Sequence, residues 1–129
     1  MTEKTPDRSG ADPGEHLPLS EAVYQILLSL TDDPLHGYAV IQDVERRTAG
    51  AVHLTASTLY GALKRLRRDG LVVEVDEAPP GAEDDPRRRY YTLSPLGRTV
   101  VRAEALRLRD AVEAAVRKGV VSSAGPAGE

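Results

Sequence analysis

A mainly α, α+β fold is predicted by three stretches of the 129-residue sequence. Residues 55 to 70 read as a capped amphipathic helix, with Leu59, Ala62, Leu63 and Leu66 at i, i+3, i+4 and i+7 on one apolar stripe. Residues 71–75 and 89–93 are β-branched or aromatic runs flanking a turn-rich insert, which is the pattern of a hairpin. Residues 94–118 read as one long helix with two apolar phases. With two further helices upstream, the order is helix, helix, short strand, basic helix, strand, loop, strand, long helix. This is the order of a winged helix-turn-helix extended by a C-terminal helix.

Residues 1–16 are rich in Gly, Pro, Asp and Glu and poor in large apolar side chains, so they are expected to form a disordered arm with His16 solvent-exposed at its end. Ser20 then offers a capping hydroxyl to a first helix whose stripe is Val23, Ile26, Leu27 and Leu30. Tyr24 and Leu28 form a second apolar pair off that stripe, so the helix is expected to be covered on two sides. Pro34, after Asp32 and Asp33, stops it, because proline disfavours helix in the preceding residue. A second helix is expected over 35–47, with Val40, Ile41 and Val44 buried. Asp32, Asp33 and His36 lack the spacing of a metal site on a defined element, and His36 suits a helix start. Residues 51–54 (AVHL) are too short for a helix and are expected to form a small strand leading into the basic helix.

Thr55 and Gly70 mark the ends of that basic helix, as N-cap and as the left-handed residue beyond its last turn. Opposite the apolar stripe stand Ser57, Gly61, Lys64 and Arg68, flanked by Thr58, Tyr60, Arg65 and Arg67. From Leu54 to Gly70 four cations face one acid, a local charge of +3 within a chain whose total is -3. Small hydroxyl residues, a tyrosine and cations on the free side of a half-buried helix suit a DNA major groove. Gly61 in mid-helix costs about 1 kcal/mol relative to alanine, and close approach to a groove floor would offset it. A solvated basic surface helix with an incidental glycine is the plainer alternative.

After Gly70 the two strand-like runs flank residues 76–86 (DEAPPGAEDDP), which hold three prolines, one glycine and five acids and read as a hairpin tip. Arg87, Arg88 and Arg89 at the base of the returning strand are placed to reach phosphates or a minor groove. Ser94-Pro95 supplies an N-cap and a first-turn proline for the long helix. Leu96, Val100 and Ala103 follow one phase. Val101, Ala105, Leu108, Val112 and Ala115, at spacings of 4, 3, 4 and 3, form a short heptad seam suited to a partner helix. A homodimer is therefore expected through this seam, assisted by Tyr24 and Leu28; the competing reading folds the seam onto the first helix of the same chain. Residues 119–129 read as a flexible tail. The expected organisation is an arm (1–16), a winged helix-turn-helix (17–93), a dimerisation helix (94–118) and the tail.

Composition sets the outer limits. Five tyrosines and no Trp or Phe supply a stacking platform for single strands poorly, and the absence of cysteine removes disulfides, thiolate zinc sites and thiol nucleophiles. No apolar run approaches a membrane span, and the first residues lack the apolar region of a signal peptide, so a cytoplasmic protein without membrane contact is expected. The acidic pI of about 5.6 hides an asymmetry, since Glu74, Asp76, Glu77, Glu83, Asp84 and Asp85 lie apart in sequence from the basic helix. No nucleophile with a base, no paired carboxylates and no phosphate-binding glycine loop point to an enzyme, and no cofactor is expected.

Several segments together resemble the PadR transcriptional regulators: Pro34-Leu35-His36-Gly37-Tyr38, Ser57-Thr58-Leu59-Tyr60 with Leu63-Lys64-Arg65-Leu66, Gly70-Leu71-Val72, and Arg89-Tyr90-Tyr91-Thr92-Leu93-Ser94-Pro95-Leu96-Gly97. The resemblance covers about residues 19–118. It implies a homodimeric repressor that binds a palindromic operator and is released by a small ligand or stress signal, in the short subgroup with one C-terminal dimerisation helix. It also implies that Tyr38, Ser57, Thr58 and Tyr60 lie at the DNA surface. Lys64, Arg68 and the 87–89 arginines are expected mostly on phosphates, with Arg65 beside them, and Ser57 and Thr58 at base edges where Gly61 permits approach. The acidic, proline-rich insert departs from the family's wing. An effector seat is expected, if anywhere, between the first and last helices near Tyr24. The rival function is a winged-helix protein-interaction module that does not bind DNA; burial of Lys64 or Arg68 would favour it.

Overall fold

The computed structural model describes residues 12–76 and 89–123. Four helices, α1 (Glu21–Ser29), α2 (Gly37–Arg47), α3 (Ala56–Arg68) and α4 (Pro95–Arg117), pack with strands β1 (Leu35–His36), β2 (Val72–Val75) and β3 (Tyr90–Leu93). The strands form an antiparallel sheet in the order β1-β3-β2, with Val72 opposite Leu93, Glu74 opposite Tyr91 and Leu35 also opposite Tyr91. This is the expected winged helix-turn-helix followed by one long helix.

Local chemistry fixes the helix ends. The hydroxyls of Ser20, Thr55 and Ser94 accept the amides of Val23, Thr58 and Gly97 at 3.1, 3.1 and 2.9 Å, each satisfying a donor the helix cannot. Gly70 has φ +83°, and behind it the Leu71 amide donates to the Leu66 carbonyl at 2.9 Å, closing a Schellman motif. One core gathers Ile26, Leu27 and Leu30 of α1, Val40 and Val44 of α2, the four apolar residues of the α3 stripe, Tyr91 and Leu93 of β3, and Val100 and Val101 of α4. Val23 and Ile41 flank it half-buried.

Four expectations need correction. No strand forms at residues 51–54; the short third strand is Leu35–His36 instead. The Thr48 hydroxyl donates to the Val44 carbonyl and accepts the Val52 amide, and Ala49 and Gly50 at positive φ turn the chain back there, while β3 offers its free edge to β1. The second helix therefore begins at Gly37, with the His36 ring as its N-cap: Nδ1 accepts the Ala39 amide at 3.2 Å. The predicted arm is ordered at its end, where Pro13–His16 form a 3-10 turn capped by Asp12 and packed against α4, leaving His16 half-buried rather than solvent-exposed. Finally, Val101 is buried in the protomer's own core, because the first turns of α4 pack on α1 and β3. The arm's residues 1–11, the tail's residues 124–129 and the wing insert from residue 77 to 88, with Arg87 and Arg88, lie outside the described residues.

One polar network joins two helices, and one buried ion pair lies within α4. The Arg47 guanidinium donates to Asp43, to the Gln25 side chain and carbonyl, and to the Ser29 hydroxyl, all within 2.6 to 2.9 Å, tying α2 to α1. Burial opposes the charge on Asp43, but hydrogen bonds from Arg47 and Ser29 and the charges of Arg47 and Arg46 outweigh it and hold the carboxyl below its usual range. On α4, Glu104 is 2% exposed and takes a bidentate pair of hydrogen bonds from Arg107 at 2.8 and 2.7 Å.

Candidate nucleic-acid interface

α3 is buried through Leu59, Ala62, Leu63 and Leu66, so its opposite side must face out. Ser57, Thr58, Tyr60, Lys64, Arg65 and Arg68 are all exposed. Thr58 is held by the cap, its hydroxyl accepting from that of Thr55 at 3.0 Å. Gly61 is half-buried, yet a Cβ built on it would meet only the end of Arg65, at 3.8 Å. Among the described residues nothing requires that glycine, which is consistent with close approach of an external surface. Tyr38, 60% exposed in the first turn of α2, and Tyr60, 48% exposed on α3, are large apolar side chains left at the surface of this unit. The Tyr60 hydroxyl lies over Gly37.

The flanks of α3 face different neighbours. Arg65 borders a hollow shared with His16, Pro18 and Leu19 of the N-terminal segment. Lys64, Arg67 and Arg68 border another of about 450 Å³ whose far wall is Val72, Val73 and Glu74 of β2. There the apparent separation of acids from bases breaks down. Glu74 lies 3.4 Å from Arg67 and 3.1 Å from Arg89, joining α3 to both wing strands, and Arg89 stays 66% exposed in that pair. Arg68 approaches Asp69 at 3.3 Å but keeps 68% of its side chain exposed. Burial raises the pKa of the Tyr91 phenol, and the charge of Glu74 opposite it in the ladder adds to the shift.

Of the expected partner-facing residues, Ala105, Leu108 and Ala115 are half-buried and Val112 is 56% exposed, while Tyr24 and Leu28 are half-buried against the core. With Val101 withdrawn into the protomer, the seam left for a partner begins at Ala105. Sequence reasoning missed Arg67 and Glu74 as a linked pair, and it missed Glu104 altogether. Nothing in the local pattern distinguishes these acids from solvated ones, although Glu104 and Arg107 stand at the i, i+3 spacing of a helical ion pair. No group of three or more metal-ligating side chains occurs among the described residues, and His36 instead meets Tyr90 edge-to-face at 5.5 Å.

The transcriptional regulator PadR-like family matches residues 26–103. An uncharacterized 37.1 kDa protein in transposon TN4556 of Streptomyces fradiae is 35% identical over 86 residues, which are 67% of this chain but 22% of that protein. Thus the chain spans about a fifth of the curated relative it matches. Among solved structures, a transcriptional regulator from Clostridium thermocellum superposes with a TM-score of 0.60 at 23% identity, covering 77% of this chain and 90% of that one. A PadR-like transcription factor from Bacteroides fragilis gives 0.61 at 20% identity, covering 81% and 95%. Bacillus subtilis PadR, solved in complex with operator DNA, gives 0.54 at 21% identity, covering 67% and 47%. At these identities the structural likeness establishes the fold.

Proposed function

The chain belongs to the PadR-like family of transcriptional regulators, and from that premise we propose that it is a homodimeric cytoplasmic repressor which binds a palindromic operator and is released by a small ligand or stress signal. The observation that carries the reading is the outward stripe of α3, where Ser57, Lys64 and Arg68 stand exposed around a glycine that none of the described residues needs. The DNA-bound Bacillus subtilis PadR supports duplex DNA as the ligand.

In this reading each subunit lays α3 in a major groove, with half-sites about one helical turn apart, and the bound dimer excludes polymerase from the promoter. Lys64, Arg65 and Arg68, with Arg87, Arg88 and Arg89 at the wing, attract phosphates. Ser57 and Thr58 meet base edges, and Tyr38 and Tyr60 pack on the backbone beside them. The exposed Val112 and the half-buried Ala105, Leu108 and Ala115 support a partner helix along the outer half of α4, with Tyr24 and Leu28 contributing from α1. An effector between α1 and α4 near Tyr24 would act by changing the separation of the two α3 helices. Exposure of Lys64 and Arg68 counts against the protein-interaction module.

Protection footprinting on the DNA upstream of the protein's own gene tests the proposal. Two protected half-sites on one face of the duplex, about one turn apart, are expected. A single protected half-site, or protection without sequence preference, would contradict it.

A further inference from the structure

The cleft between α3 and the wing carries an acid where a DNA-binding surface gains from cations alone. Strand alternation puts Glu74 on the same face of β2 as the buried Val72, so its carboxylate points toward α3 and is only 23% exposed. It stands 3.4 Å from the Arg67 guanidinium of α3 and 3.1 Å from that of Arg89 just before β3, and both arginines keep much of their side chains in solvent. Lys64 and Arg68 border the same cleft. Three cations thus share a space of about 450 Å³ with one carboxylate, beside the outward stripe of α3, and Arg89 pairs with the same carboxylate.

We infer that Glu74 is a positioning residue that lowers affinity for the DNA backbone by holding Arg67 and Arg89 in ion pairs. The inference rests on the DNA-binding reading above. A phosphodiester entering the cleft has to take the guanidiniums from a carboxylate, and the bonds lost resemble the bonds gained, since both are charge-assisted. The two arginines therefore add less affinity than free ones would. Because the carboxylate opposes phosphate attraction irrespective of bases, Glu74 acts chiefly on the sequence-independent part of binding. Without it, the protein would spend more of its time on arbitrary DNA.

Binding of full-length protein to a duplex of arbitrary sequence, followed as a function of salt, tests this. Glu74→Gln removes one opposing charge, so it is expected to tighten binding about tenfold near 0.1 M salt and to steepen the salt slope by about 0.9. Glu113→Gln, a charge-matched change at an exposed site on α4, should leave both values unaltered. In an Arg67→Gln/Arg89→Gln background the gain from Glu74→Gln should shrink; a full gain there would show a long-range charge effect and overturn the clamp. Equal behaviour of Glu74→Gln and Glu113→Gln, or weaker binding by Glu74→Gln, would overturn it too. Should Glu74→Gln melt unlike the wild type, Glu74→Thr, neutral and suited to a strand, carries the same expectation. Failure of the wild type to bind any duplex at low salt would remove the DNA-binding reading itself, and the inference with it.

Discussion

The phenol oxygen of Tyr60 on α3 occupies the space over the Gly37 Cα that any Cβ at residue 37 would need. The contact sets the first turn of α2 against the outward edge of α3 and fixes the direction of the Tyr60 ring. Gly37→Ala should push the ring outward at a cost of about 1 kcal/mol, and should be nearly neutral in a Tyr60→Ala background. Thermal unfolding of the two single variants and the double gives the coupling directly. Additivity within about 0.3 kcal/mol would show that the glycine serves something else.

A harder contact is found at Gly97, where a Cβ would run into the backbone carbonyl of Leu71. Here no side chain can swing aside. The Leu71 carbonyl also accepts the Ser94 amide at 3.0 Å, so displacing it loosens the junction between the winged unit and α4. Gly97→Ala is expected to cost about 3 kcal/mol and to lower the melting temperature by roughly 10 to 20 °C. A melting temperature within about 2 °C of the wild type would refute the close approach.

Much of the fold was legible because its signals are local. Ser20, Thr55 and Ser94 each cap a helix by accepting the amide three residues on, and Gly70 and Gly119 take positive φ behind α3 and α4, as their residue types suggest. The errors come where the deciding partner is distant. Residues 51–54 have strand-like composition, but the edge of β3 is taken by Leu35 and His36. Val101 continues a heptad on paper, and only the crossing of α4 over α1 and β3 shows that its side chain is used inside the protomer. In the interface, the outward stripe of α3 followed from helical periodicity. The link from Arg67 to Glu74 to Arg89 did not, because it depends on strand register and on how α3 meets the wing.

Glu104 supplies a pH dependence whose sign can be stated. Hydrogen bonds from Arg107 lower its pKa; burial opposes this, and the Arg107 charge and the Leu19 amide assist, leaving the carboxyl below its usual range. A folded-state pKa below the unfolded one gives stabilisation that is complete above the unfolded value and is lost as pH falls through the folded value. Glu104→Gln should therefore cost about 1 to 3 kcal/mol at neutral pH, with the difference from wild type narrowing in acid. Denaturant unfolding across that range measures it. A gap independent of pH would mean that the charge contributes nothing.

Leu108 lies half-buried in the middle of the proposed partner-facing seam on α4, with Ala105 and Val112 on either side. Leu108→Glu would place an unpaired charge there and should convert the dimer to monomer without loss of helical content. Sedimentation velocity distinguishes the outcomes, and an unchanged dimer would show that the seam lies elsewhere.

The central claim, that the outward stripe of α3 reads an operator, is tested most directly by salt-dependent titration of the wild type, Lys64→Ala and Ser57→Ala against the upstream promoter DNA and an unrelated duplex. Expected are selective binding by the wild type, weaker binding to both DNAs with a salt slope about 0.9 shallower for Lys64→Ala, and a changed preference between the two for Ser57→Ala. Equal binding of the wild type to both DNAs, or identical effects of the two substitutions on both, would contradict it.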